Sequence, residues 1–198
     1  MFLISVGGWI GIGIGVFFLI LIIVLISWFI KCYNGLVQLR NKVKNAFSQI
    51  DVQLKKRFDL IPNLVETVKG YAKIEEGIFS EFAKARGLYQ QASQSKDAKG
   101  LAEASQSLGG VVSRLLMVTE QYPNLKSDAQ FINLQNQLQE TEKQIAYTRQ
   151  FYNDIVMKFN NKVEMFPSNI VANMFKFEQA AFFEVKNEAE REAPKVQF

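Results

Sequence analysis

The hydrophobic pattern changes character once along the chain. From Met1 to Ile30 no ionisable side chain occurs, and the run at residues 9–30 is apolar all round. At 1.5 Å per residue it is long enough to cross a hydrocarbon core of about 30 Å as one helix. Trp9 and Trp28 bracket it, roughly 28 Å apart on a helix, at the spacing of two headgroup interfaces. A cleaved signal peptide is the competing reading. Against it stand the absence of Lys or Arg at the amino end, the length of the run and the lack of a small-x-small site before Lys31.

Beyond residue 35 the apolar positions recur in steps of three and four. Leu36, Leu39, Val43, Ala46, Ile50, Leu54, Phe58, Ile61, Leu64, Val68 and Tyr71 describe one face of a long amphipathic helix, with a kink predicted at Pro62. Asn34 and Gly35 are either a hinge or part of a helix that runs straight through. Ile78, Phe82, Ala85 and Tyr89 continue the helical spacing, and the polar stretch 93–100 predicts a turn. A helix over 101–121 follows, buried through Leu101, Ala104, Leu108, Val111 or Val112, Leu115 and Val118, and stopping at Tyr122–Pro123. Gly109 and Gly110 permit close packing or a local break.

The next helix is the most regular. Phe131, Leu138, Ile145, Tyr152, Phe159 and Phe166 recur every seven residues, with Leu134, Thr141, Thr148 and Ile155 between them. This heptad seam packs against helices of the same chain in an antiparallel bundle, or against a second copy as a coiled coil. Pro167 ends it, and a closing helix is predicted over 169–185, with Phe175, Phe177, Phe182 and Phe183 either buried or exposed as a contact patch. The fold class is therefore all-α, an N-terminal transmembrane helix followed by a long, four-helix-like antiparallel bundle. The segments are 1–8 (short N-terminal segment), 9–30 (transmembrane helix), 31–186 (bundle) and 187–198 (a charged tail, expected to be disordered).

The glycines refine the picture of the span. Gly7, Gly11 and Gly15 fall four apart on one helical face, a small-xxx-small pattern that lets two helix backbones approach in lipid. Glycine is also common in spanning helices without any such role.

Charge sets the orientation. Lys31, Arg40, Lys42 and Lys44 follow the span before the first acid at Asp51, which predicts a cytoplasmic bundle, an outside amino terminus and contacts of these cations with lipid headgroups. The overall charge of +4 is interspersed, so no stripe for nucleic acid is expected. Lys55, Lys56 and Arg57 lie in the densest charged stretch, as a solvated face or as a face for an acidic partner.

Chemistry is sparse. The 198 residues contain no histidine and one cysteine, Cys32, so a disulfide within the chain, a thiolate cluster and a Glu-x-x-His carboxylate site are excluded. No phosphate loop and no nucleophile with its base is found. We expect no catalytic residue, cofactor, metal or small-molecule substrate, and hence not an enzyme.

Residues 33–72 (YNGLVQLRNKVKNAFSQIDVQLKKRFDLIPNLVETVKGYA), 122–153 and FPSNIVANMFKF at 166–177 are similar to the LemA family of bacterial membrane proteins. The resemblance covers nearly all of the chain beyond the span. It implies a single N-terminal transmembrane helix in the bacterial inner membrane carrying a helical bundle, and no catalytic residues. One departure stands at Ile74, where resembling members commonly have histidine. The functional expectation is a homo-oligomeric scaffold that organises membrane lipid or recruits partners. The alternative is a monomeric adaptor or signalling module for another membrane protein, such as a protease or transporter.

Overall fold

The computed structural model describes residues 6–71 and 76–184, and these residues form helices without a strand. The elements are α1 (Val6–Lys69), α2 (Glu76–Ser95), α3 (Ala98–Thr119), α4 (Pro123–Lys126), α5 (Ala129–Glu164) and α6 (Ser168–Met174). The described residues are therefore all-α, as the spacing predicts. The position of Ile74 and the tail at 187–198 lie outside the described residues. The chain divides into two compact units, one of residues 1–42 and 158–179, the other of residues 43–157 and 180–198.

In the larger unit the predicted stripe of α1 is buried as far as Val68, with Ile50, Leu54, Ile61 and Val68 closed off from solvent, whereas Tyr71, predicted on the same face, lies past the end of α1 and is exposed. Pro62 lies inside α1 and does not end it. Proline lacks one backbone donor, but the apolar stripe on both sides of it is buried in the core, which favours carrying the helix through. Gly109 and Gly110 likewise leave α3 unbroken.

The predicted turn joins α2 to α3. Lys96 takes a left-handed φ of 56°, and the Asp97 carboxylate accepts from the Lys99 amide at 3.0 Å, capping α3. Gly100 is required here, because a Cβ would stand 2.9 Å from both the Ala92 Cβ and Asp97 Oδ2.

The α5 seam is buried at Phe131, Leu134, Leu138, Thr141, Ile145, Thr148, Tyr152 and Ile155 in this unit and at Phe159 in the smaller one. The two threonines are satisfied within their own helix, their hydroxyls donating to the Gln137 and Gln144 carbonyls at 2.8 Å. Burial therefore leaves no polar group orphaned along the seam. The seam stops short of Phe166, which lies past the end of α5 and is 78% exposed. Pro167 disfavours helical geometry at the residue before it, so the heptad cannot continue through Phe166.

The predicted closing helix is much shorter than 169–185. After α6 the residues from 177 to 184 are not helical, and the end of this strap is pinned by side chains of α5. The Asn153 amide donates to the Phe183 carbonyl at 3.1 Å, and its oxygen accepts from the Phe183 N–H at 2.9 Å. Tyr152 donates its hydroxyl to the Ala181 carbonyl at 2.8 Å. These bonds replace those a helix would supply, and Phe183 is buried beneath them.

In the smaller unit, α1 runs unbroken past Asn34 and Gly35, so the helix continues straight through there. Cys32 and Leu36 of α1, Phe159 and Val163 of α5, Val171 and Ala172 of α6, and Phe177 are all buried in this unit.

Candidate membrane anchor and a buried arginine

Every residue from Ile12 to Trp28 is exposed, on all sides of the helix. Trp9 is 65% and Trp28 37% exposed at the two ends. A Cβ built on Gly13 or Gly15 would meet nothing within 4 Å, so the described part of the glycine pattern is not used for packing inside this chain. The surroundings of Gly7 and Gly11 lie outside the described residues.

The cations that follow the span have different settings. Lys31 is exposed and, with Trp28, Cys32, Lys162, Pro167 and Ser168, lines a hollow of about 270 Å³. Lys42 is exposed. Arg40 is exposed too, but its guanidinium carbon lies 5.1 Å from the centre of the Phe177 ring, a cation–π contact that fixes its direction. Lys44 belongs to the larger unit, where with Val43, Phe47 and Tyr152 it lines a hollow of about 330 Å³.

Lys55, Lys56 and Arg57 do not form one face. Both lysines are exposed, whereas Arg57 is only 6% exposed. At 100° per residue, Arg57 falls on the stripe that carries Leu54, Phe58 and Ile61, and this turns it into the core. Its Nη1 donates to the Ser105 carbonyl at 3.1 Å and to the Ser105 hydroxyl at 3.3 Å. Its Nε faces Glu142 Oε1 at 2.5 Å, an ion contact without the alignment of a hydrogen bond. Gly109 lies alongside, where a Cβ would stand 3.5 Å from Nη2, at ordinary contact distance. The site thus ties α1, α3 and α5 together through one charge.

Burial pulls the Arg57 pKa down, and the Glu142 charge opposes it. Burial likewise raises Glu142, with Arg57 acting in the other direction. The arrangement is that of a buried arginine held against a carboxylate that is 41% exposed, so losing Glu142 strands the arginine, whereas losing Arg57 leaves Glu142 access to water. The sequence reading missed it by grouping three adjacent cations; the signal was helical phase, which separates Arg57 from its two neighbours.

The remaining polar groups also serve packing. Tyr89 stacks on Phe58 with ring centres 4.7 Å apart, and its phenol is pushed up to about 12, first by burial. Burial raises Tyr152 to about 12 as well. Among the described residues no three His, Cys, Asp or Glu side chains converge as metal ligands would.

Comparison with known proteins bears on the whole of this architecture. The LemA family profile matches residues 46–198. The chain is similar to Protein LemA of Metamycoplasma hominis, with 27% identity over 179 residues, covering 88% of this chain and 80% of that protein. It is also similar to Magnetosome protein MamQ 2 of Paramagnetospirillum magneticum, 24% identical over 188 residues, covering 83% of this chain and 69% of the relative. Magnetosome protein MamQ of Magnetospirillum gryphiswaldense is 22% identical over the same length and coverage.

Proposed function

This chain belongs to the LemA family of membrane-associated proteins, and on that premise we propose that it is a non-enzymatic scaffold, anchored by residues 9–30 and assembled from several copies. The bundle then lies on the cytoplasmic side of a bacterial inner membrane, the orientation favoured by Lys31, Arg40, Lys42 and Lys44.

The observation that carries the reading is the uncovered segment from Ile12 to Trp28. Burying one large apolar side chain is worth about 1.5–3 kcal/mol. Leaving so many in water forfeits on the order of tens of kcal/mol, more than the whole stability of a domain, roughly 5–15 kcal/mol. Lipid removes that cost. Inside lipid no hydrophobic drive brings helices together, so close backbone approach at Gly7, Gly11 and Gly15 is the means of assembly.

The test is the protein mass of the full-length chain in mild detergent, by light scattering corrected for bound detergent. The scaffold reading predicts a defined multiple of 22.6 kDa that falls when Gly11 and Gly15 are both replaced by Leu. A monomer overturns it. A second reading, a monomeric adaptor for another membrane protein, draws on the exposure of Lys55 and Lys56. It predicts one stoichiometric crosslinked partner that is lost in the Lys55→Glu, Lys56→Glu double variant.

A further inference from the structure

We infer that the corner between α5 and α6 is a second membrane contact, which lays Met165, Phe166, Ile170 and Met174 into the headgroup region of the leaflet from which the anchor emerges. This rests on the anchor reading above. All the residues involved belong to the smaller unit.

The corner exposes apolar groups to an unusual degree. Met165 and Met174 are 61% exposed, Phe166 78% and Ile170 51%. Ile170 and Met174 stand one turn apart on one side of α6, while Val171 and Ala172 are buried on the other. A soluble surface seldom gathers such side chains without an occupant.

Position identifies the occupant. Phe175, at the end of α6, lies 6.0 Å from Phe29 and 4.6 Å from Tyr33, ring centre to ring centre. Phe29 is part of the apolar run itself. Pro167 and Ser168 share their hollow with Trp28 and Lys31. The corner therefore sits beside the end of the apolar run, at the level of residues 28–33. An amphipathic face at that level enters the boundary by about 5–10 Å.

The corner is also built to hold its shape. The Ser168 hydroxyl donates to the Lys162 carbonyl at 2.7 Å and to the Met165 carbonyl at 2.9 Å. The nearby charges suit an anionic lipid surface. Lys31 and Lys176 are exposed, and Lys162 is half-buried at the hollow. The Glu164 carboxylate is engaged by the Gln179 amide, and Glu178 is exposed.

The experiment uses the full-length chain in phosphatidylcholine–phosphatidylglycerol vesicles. With Cys32 replaced by Ala, single cysteines in place of Phe166, Ile170 or Val24 carry an environment-sensitive dye. Lipids bearing a nitroxide near the headgroup or deep in the acyl chain, and aqueous iodide, serve as quenchers. The expected result is that dyes at 166 and 170 are blue-shifted, quenched most by the shallow nitroxide and shielded from iodide, while the dye at 24 responds to the deep nitroxide.

Iodide access at 166 and 170 with a lipid-quenched dye at 24 overturns the inference and leaves the anchor standing. No lipid quenching at 24 overturns the anchor and the inference together. Shielding of 166 and 170 from both iodide and lipid means that protein covers the corner, and also overturns it. Because labelling can disturb folding, the unsubstituted chain with carbon-13 methionine methyls gives a second reading. Lipid nitroxides should broaden Met165 and Met174 more than Met117 and Met157, and equal broadening contradicts the inference.

Discussion

The seam of α5 and the first half of α1 are both written in large apolar residues, yet one is covered by its own chain and the other is not. On α5 the apolar positions return every three or four residues, with Asn, Gln, Glu and Lys between them, so the helix has one dry side and one wet side. From Ile12 to Ile26 no polar side chain interrupts, and exposure is the same all round. A stripe can be satisfied by neighbouring helices. A helix that is apolar on every side needs a solvent that is itself apolar. The difference lies in what is placed between the hydrophobic residues, not in how many there are.

The largest expected effect comes from the charge buried in the covered region. Glu142→Ala strands the buried Arg57 in the bundle and should cost about 3–5 kcal/mol, read as a fall in the urea midpoint of the bundle. The Arg57→Met, Glu142→Leu double variant should recover most of that loss. If the single variant unfolds like the parent protein, the pair does not tie the three helices.

Removing apolar volume should separate the two regions next. Leu138→Ala, on the seam, is expected to destabilise the bundle by about 2–5 kcal/mol. Ile22→Ala, on the uncovered segment, should leave that unfolding transition unchanged, because nothing in the chain packs on it. Equal losses would erase the distinction.

The smallest effect is at the exposed Tyr71, whose hydroxyl donates to Asp128 Oδ2 at 2.9 Å. The Asp128 carboxyl is held below its ordinary value, first by the Phe131 amide and then by this phenol. A lowered carboxylate pKa adds stability above the unfolded-state pKa, and that stability is lost as pH falls through the folded value. Tyr71→Phe should raise the Asp128 midpoint only part of the way back, as followed by carboxyl NMR. A full return to the ordinary value would remove the role of the Phe131 amide.

Much of this fold is legible in the sequence because helices repeat. Phe131 through Ile155 kept their phase, and so did the stripe from Ile50 to Val68. What periodicity hides is set by single bonds and boundaries. Phe166 fits the heptad count but precedes a proline, and the helix ends before it. Phe182 and Phe183 read as helix by composition, whereas Asn153, distant in sequence, holds that segment as a strap. Arg57 reads as one of three surface cations until its phase is counted. The exposed corner at Met165–Met174 could not be seen at all, because apolar residues next to an anchor have the same composition whether they are core or contact. The placement of Phe175 beside Phe29 and Tyr33 makes the difference.

Lipid must be the environment of the uncovered segment for the anchor, the assembly and the corner contact to stand. Membranes from cells making the full-length chain, washed at alkaline pH and sedimented, test that directly. Retention of the chain with the bilayer pellet, and its release only by detergent, is the predicted result. Release of intact chain into the alkaline supernatant would contradict the account.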